Sequence, residues 1–304
     1  MADFSLTPTA ARVVDAAAPA GATFAANTVG APATRFLDRP HERIAYDDRG
    51  SGPLVVMVPG FGDLRQEYRF LAPRLAKAGY RVVTMDLRGH GESSTGWPDH
   101  SASAIGSDIV ALLSALDAGP AAIVGTSMGA GAAAWAAAEA PGRVAGLVLI
   151  GPFVRTVPPK NWLQGAVQAA MIKVGFAGPW AVSAWRAYYA SLYPTAKPND
   201  FAAYRAALAA NLRAPGRLAA LKAMMSATKD DVEARLGEVR APTLVVMGTK
   251  DPDFADPAAE ADTVARLLGG SVAMIDGAGH YPHAEMPAVT APVIIDFIAE
   301  ATSN

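Results

Sequence analysis

Residues Leu54-Val55-Val56-Met57-Val58 form an unbroken apolar, largely β-branched run. A strand with no polar alternation must be covered on both faces, the condition of a strand inside a parallel sheet flanked by helices. Strand-like runs recur at Arg81–Met85, Ala121–Val124, Val144–Ile150, Thr243–Met247 and Ser271–Ile275. Helical patterns separate them, at Glu67–Lys77, Ser103–Leu116, Ala130–Ala138, Pro257–Leu268 and Ala288–Ala299. In Ser103–Leu116, Ile105, Ile109, Leu112, Leu113 and Leu116 share a face. Ile44-Ala45-Tyr46 reads as a short edge strand. Strands joined by helices predict an α/β fold with a mostly parallel central sheet.

The alternation stops after Gly151. From Arg155 to Glu238 no strand pattern is present; the segment is aromatic and cut by Pro and Gly into short helices. The expected organisation is a core of residues 35–154 and 239–304, interrupted by a helical insertion, 155–238. Residues 1–34 are rich in Ala, Thr, Pro and Gly. Asp3, Arg12, Asp15 and Pro19 break any signal-peptide pattern, so the expectation is a cytoplasmic protein. The segment reads as a poorly ordered extension or a strand-like arm on the surface.

Composition removes several function classes. The 304 residues carry a net charge of −2, which offers nucleic acid no attraction. No apolar run reaches the length of a membrane span. The absence of cysteine excludes disulfides, thiolate metal sites and a cysteine nucleophile. His280 and His283 stand three apart, but no acidic residue completes a metal motif, so no metal or other cofactor is expected.

The chemistry gathers at Gly125-Thr126-Ser127-Met128-Gly129, which reads G-x-S-x-G between an apolar strand and an alanine-rich helix. A serine on such a turn is held out at the strand end, where its hydroxyl can attack a carbonyl. It needs a base and an acid to orient that base. Gly248-Thr249-Lys250-Asp251 and Gly277-Ala278-Gly279-His280 each follow a predicted strand. Loops at the carboxyl ends of parallel strands converge on one sheet edge. Asp253 competes with Asp251 for the acid, and His283 with His280 for the base. Ser127 as an ordinary turn serine is the bland alternative. Asp256, before Pro257, reads as a helix N-cap. Asp86 reads as a loop anchor and His90 as a structural brace. The aromatic residues of 155–238 read mainly as packing for its helices.

With Val58-Pro59-Gly60-Phe61-Gly62, Asp86-Leu87-Arg88-Gly89-His90-Gly91-Glu92-Ser93 and Glu285 added to these motifs, the chain resembles the α/β-hydrolase superfamily, in its cap-bearing esterase-like branch. The resemblance spans residues 54–300. It implies Ser127 as nucleophile, His280 as general base and then acid, and Asp251 as the group that orients the imidazole. It implies an oxyanion hole from the backbone N–H groups of Phe61 and Met128. Relatives mostly carry His-Gly where this chain has Pro59-Gly60; proline removes one N–H and stiffens the loop. Residues 155–238 would form a cap over Ser127, with Trp162, Trp185, Tyr188 and His283 as candidate pocket residues. The implied activity is hydrolysis of carboxylic esters or lactones of a small, largely apolar substrate through an acyl-enzyme. A C–C bond or amide hydrolase of the same fold, and a hydrolase-fold ligand receptor with slow turnover, remain open. Serine at the nucleophile position counts against haloalkane dehalogenase and epoxide hydrolase, which use aspartate.

Overall fold

The apolar runs become the middle of a nine-stranded sheet among the described residues. The computed structural model describes residues 13–14, 32–40, 42–156, 162 and 174–303. In chain order the elements are β1 (Val13–Val14), β2 (Arg35–Arg39), β3 (Glu42–Arg49), β4 (Leu54–Val58), α1 (Ala72–Lys77), β5 (Arg81–Met85), α2 (Ala102–Leu116), β6 (Ala121–Thr126), α3 (Met128–Glu139) and β7 (Val144–Ile150). Four helices follow: α4 (Ala181–Ser191), α5 (Phe201–Arg213), α6 (Arg217–Ser226) and α7 (Asp230–Glu233). The chain closes with β8 (Thr243–Gly248), α8 (Pro257–Leu268), β9 (Ser271–Ile275), α9 (Pro282–Glu285) and α10 (Pro287–Thr302).

The sheet order is β1-β2-β3-β5-β4-β6-β7-β8-β9. The pairs from β5 to β9 are parallel, and β1, β2 and β3 join antiparallel. This is the mostly parallel α/β sheet expected from the sequence. Alternate strand residues enter opposite cores. Val56, Val58, Ile123, Leu147, Leu149, Val245 and Met247 pack with the apolar sides of α2, α3 and α8. Val55, Met57, Ala122, Val124, Val148, Ile150 and Val246 pack with those of α1 and α10. Each fully buried aliphatic side chain contributes about 1.5–3 kcal/mol, which favours this register over a one-residue slip.

Two local expectations are corrected, and one strand is added. β3 spans eight residues and lies between β2 and β5, not at an edge. Its neighbour β2, Arg-Phe-Leu-Asp-Arg, escaped notice because only two of its five residues are apolar. Its Arg35 pairs with Asp48 across the hairpin at 3.0 Å. The helix expected over Glu67–Lys77 is split into a 3₁₀ turn, Arg65–Tyr68, and α1. Pro73 is the cause: it lacks an N–H, and its ring would strike a carbonyl one turn earlier, so it is tolerated only in a first turn. Of the extension, Val13–Val14 pairs antiparallel with Phe36 and Leu37. The rest of residues 1–31 lies outside the described residues.

Ser101 caps α2 by accepting the Ala104 N–H at 3.2 Å, and Asp256 caps α8 by accepting the Ala259 N–H at 3.0 Å. Between β7 and β8 the described residues hold helices and no strand. Their core is aromatic: Trp185, Tyr189, Tyr193, Phe201 and Tyr204 pack with Tyr281. No helix among the described residues is long and apolar enough to cross a membrane.

Candidate active site

The turn from β6 into α3 holds Ser127 at φ 55° and ψ −119°, a left-handed conformation for a residue with a side chain. Such a backbone costs about 1–3 kcal/mol and persists only where its surroundings enforce it. The Ser127 N–H donates to Ile150 O at 2.8 Å, and Phe153 N–H donates to Ser127 O at 3.2 Å. The flanking glycines make the turn possible. A Cβ at Gly125 would lie 2.7 Å from Ala130 Cα, and one at Gly129 would run into the carbonyls of Val58 and Pro59.

Asp251 and His280 leave the ends of β8 and β9 and meet in the interior. His280 Nδ1 lies 2.7 Å from Asp251 Oδ2, and both side chains are buried. Gly151, just past β7, makes room: a Cβ there would sit 2.8 Å from His280 Cε1 and 3.2 Å from Asp251 Oδ2. The imidazole is thus one residue from Ile150, which holds the Ser127 backbone. Its Nδ1 is occupied by Asp251, which leaves Nε2 as the nitrogen for proton exchange. Among the described residues no Ser127–His280 hydrogen bond is formed. Such bonds often tighten only when substrate arrives.

A second carboxylate stands nearby. Asp253 Oδ2 lies 3.6 Å from His280 Nδ1, and the Asp253 N–H donates to Asp251 Oδ1 at 3.0 Å. Burial works against a charge on His280. Asp251 and Asp253, together with the Asp251 hydrogen bond, outweigh burial and push its pKa up to about 9. These three residues also bring one ligand atom each within 4.8 Å of one another, enough for a cation. Their oxygens are already engaged: Asp251 by His280 and the Asp253 N–H, Asp253 by Tyr188.

The loop after β4 crosses directly over the serine; a Cβ at Gly60 would lie 3.1 Å from Ser127 Cβ. Gly60 N–H donates to Glu67 Oε2 at 3.0 Å, and Gly62 N–H donates to His90 Nε2 at 3.1 Å. His90 Nδ1–H in turn reaches Arg88 O at 3.0 Å. Burial pushes the His90 pKa down to about 4, so Nε2 stays free to accept. The Phe61 N–H, between these two anchored neighbours, has no partner among the described residues. Neither does the Met128 N–H at the start of α3, one of the donors a helix end leaves open.

Behind this loop lies a polar cluster that sequence reasoning missed. Glu67 is fully buried, and burial pushes its pKa up to about 7, against the pull of Thr126 and the Gly60 N–H. His283 Nε2 lies 3.1 Å from Glu67 Oε1, and its ring sits 5.2 Å from Tyr68. Burial pushes His283 down to about 3. His283 is therefore neutral, and Glu67 holds its proton to a higher pH than an ordinary carboxyl; a proton on Oε1 would be directed at Nε2. His283 was expected at the pocket wall; it is instead fully enclosed behind the loop and bonds no backbone group. Only the break between the 3₁₀ turn and α1 turns Glu67 inward, and nothing in its sequence neighbourhood announces that.

The other expected pocket residues divide. Trp185 is buried, its ring 5.6 Å from Phe61, and a Cβ at Gly62 would strike it. Tyr188 is half-buried and donates its hydroxyl to Asp253 at 2.8 Å. Trp162 is 81% exposed and covers no site among the described residues. Asp86 is an anchor as expected: it accepts the Arg65 N–H at 2.8 Å and the Glu92 N–H at 2.9 Å.

Comparison with known proteins agrees with this architecture. A family model described as the alpha/beta hydrolase fold matches residues 53–287. The 2-(acetamidomethylene)succinate hydrolase of Mesorhizobium japonicum is 28% identical over 272 residues, 87% of this chain and 95% of that protein. Among solved structures, a bromoperoxidase from Bacillus anthracis superposes with a TM-score of 0.73 at 23% identity, over 85% of this chain and 96% of its own. A thermophilic esterase from Thermogutta terrifontis gives 0.67 at 24% identity, over 86% and 94%. At such identities the two superpositions speak for the fold alone, whereas the family match covers most of the sequence. The chain belongs to the alpha/beta hydrolase fold family.

Proposed function

We propose that this protein is a serine hydrolase that cleaves carboxylic ester or lactone bonds of a small, largely apolar substrate through an acyl-enzyme. The observation that carries the reading is the 2.7 Å Asp251–His280 pair beside a serine held at positive φ, under a loop whose Phe61 N–H is left open between two anchored neighbours. In this mechanism Ser127 Oγ attacks the carbonyl carbon and His280 Nε2 takes its proton. The carbonyl π electrons move onto oxygen, which accepts hydrogen bonds from the Phe61 and Met128 N–H groups. The tetrahedral intermediate collapses, the C–O bond breaks, and His280 returns the proton to the leaving alkoxide. Water then repeats the cycle, giving the carboxylic acid and free Ser127. Each oxyanion donor is worth about 3 kcal/mol of transition-state stabilisation.

The insertion 155–238 acts as a cap in this reading, with Trp185 and Tyr188 at its contact with the site. Its aromatic packing suits an apolar acyl or alcohol group. Amide hydrolysis is the second reading, favoured by the relative whose name carries an acetamido group. Turnover of short p-nitrophenyl esters and labelling by a fluorophosphonate probe test the proposal. Ser127→Ala is expected to abolish both, and Asp251→Asn to lower kcat about 10⁴-fold through the wrong imidazole tautomer. Wild-type protein inert to the probe, or Ser127→Ala with unchanged turnover, would refute it. Amide turnover without ester turnover would favour the second reading.

A further inference from the structure

Asp253 and Tyr188 have no place in the mechanism above, yet they meet at its centre. Tyr188 is carried by α4 of the insertion, and its hydroxyl lies 2.8 Å from both Asp253 oxygens. That contact spans 65 residues of sequence. Asp253 comes from the loop after β8 and faces the same imidazole nitrogen as Asp251, at 3.6 Å against 2.7 Å. We propose that Tyr188 is a positioning residue: its hydroxyl holds Asp253 as a second carboxylate beside His280, so that docking of α4 tunes the catalytic base. The inference rests on the proposed Ser127–His280–Asp251 assignment.

The argument is electrostatic and geometric. One imidazolium carries one positive charge, whereas two carboxylates face it across a buried space. Mutual repulsion of the acids has to be relieved. The Asp253 N–H relieves Asp251 through its Oδ1, and the Tyr188 hydroxyl relieves Asp253 by bridging its two oxygens. Burial and Asp251 raise the Asp253 pKa, and His280 opposes them. The Tyr188 proton is held far above neutral pH, so the residue remains a donor throughout. The remaining titratable neighbours of His280 are Glu67, His283 and Tyr281. Burial keeps the Tyr281 phenol protonated. Phe153 and Phe254 complete the surround and carry no charge. The Tyr188 hydrogen bond favours the ionised Asp253 carboxylate, so removal of Tyr188 weakens that charge beside His280, and removal of Asp253 takes it away.

The test uses the full chain as wild type, Asp253→Asn, Tyr188→Phe and the double variant. Two readouts are followed against pH: kcat/KM on p-nitrophenyl butyrate, and the His280 imidazole titration by NMR, which needs no turnover. The imidazole pKa is expected to fall by about 1–3 units in Asp253→Asn and to fall by less in Tyr188→Phe. In the double variant Tyr188→Phe adds nothing, because its only route to the base has gone. A merely structural role for the pair would change stability or kcat and leave the titration in place. An unmoved titration in Asp253→Asn, or a Tyr188→Phe shift that persists in the double variant, overturns the inference. Ser127→Ala separates the two claims. If it is dead while the titrations stay unmoved, the hydrolase reading stands and this inference falls. If it remains active, the hydrolase reading itself has failed.

Discussion

Replacement of Glu67 by Gln is the sharpest probe of the cluster beneath the loop that follows β4. Gln is isosteric: its carbonyl oxygen can still accept the Gly60 N–H, now at 3.0 Å, and its amide can donate to His283 Nε2, now 3.1 Å from the carboxyl. The second amide N–H has no named acceptor at this buried position, so near pH 5 the substitution costs about 1–3 kcal/mol. What it removes is a titration. Glu67 has an ordinary value of 4.5 and is pushed by burial to about 7 in the folded chain. The fold therefore holds a proton that the unfolded chain releases. A group raised in this way contributes its full stabilisation below pH 4.5 and loses it as pH climbs through 7. A displacement of that size corresponds to about 3 kcal/mol. Urea unfolding at pH 5 and pH 8 reads the effect. Wild type should lose about 2–3 kcal/mol more than Glu67→Gln between the two conditions. His90 and His283 titrate in both proteins and cancel in the difference, whereas Asp63, pushed up to about 7 by burial and by Glu67, does not. Asp63–Glu67 repulsion acts in the same direction. Identical pH slopes would mean that Glu67 is already ionised in the fold, and its raised value would be refuted.

Two further expectations follow from the same contacts. In the proposed mechanism the neutral imidazole is the base, so kcat/KM should fall as pH drops through the His280 pKa. With that value raised toward 9, the acidic limb belongs above the ordinary 6.5, and a limb at or below 6.5 in a pH–rate profile would contradict the two-carboxylate environment. Arg65 lies in the interior, 2.9 Å from Asp47 and paired with Asp86 and Glu92. Arg65→Met should cost about 3–5 kcal/mol by stranding these acids, a large part of a typical 5–15 kcal/mol total. Urea unfolding checks it, and a loss under about 1 kcal/mol would show that the carboxylates find other partners.

Much of this arrangement could be read directly. The runs at Leu54–Val58, Ala121–Val124 and Thr243–Met247 announced buried parallel strands, because apolar continuity has few other structural meanings. The cap at Asp256 and the glycines around Ser127 are local devices, decided within a few residues. The same holds for the positions of Asp251 and His280 one loop beyond their strands. β2 escaped because its charges are satisfied by a strand that only the hairpin brings near. Trp162 and His283 were misplaced because an aromatic or imidazole ring has the same composition whether it faces solvent, a pocket or the back of a loop.

The sequence by itself therefore determined the order of the elements, the parallel sheet, and the strand ends from which Ser127, Asp251 and His280 emerge. These follow from periodicity and turn chemistry, which act over one or two turns of chain. Only the tertiary structure decided which acids share the His280 edge, that Glu67 and His283 meet under the loop after β4, and that Tyr188 reaches Asp253 from 65 residues away. Such pairings depend on distance and burial between segments that are remote along the chain. Coulombic and hydrogen-bond energies respond to those quantities, and residue spacing does not encode them.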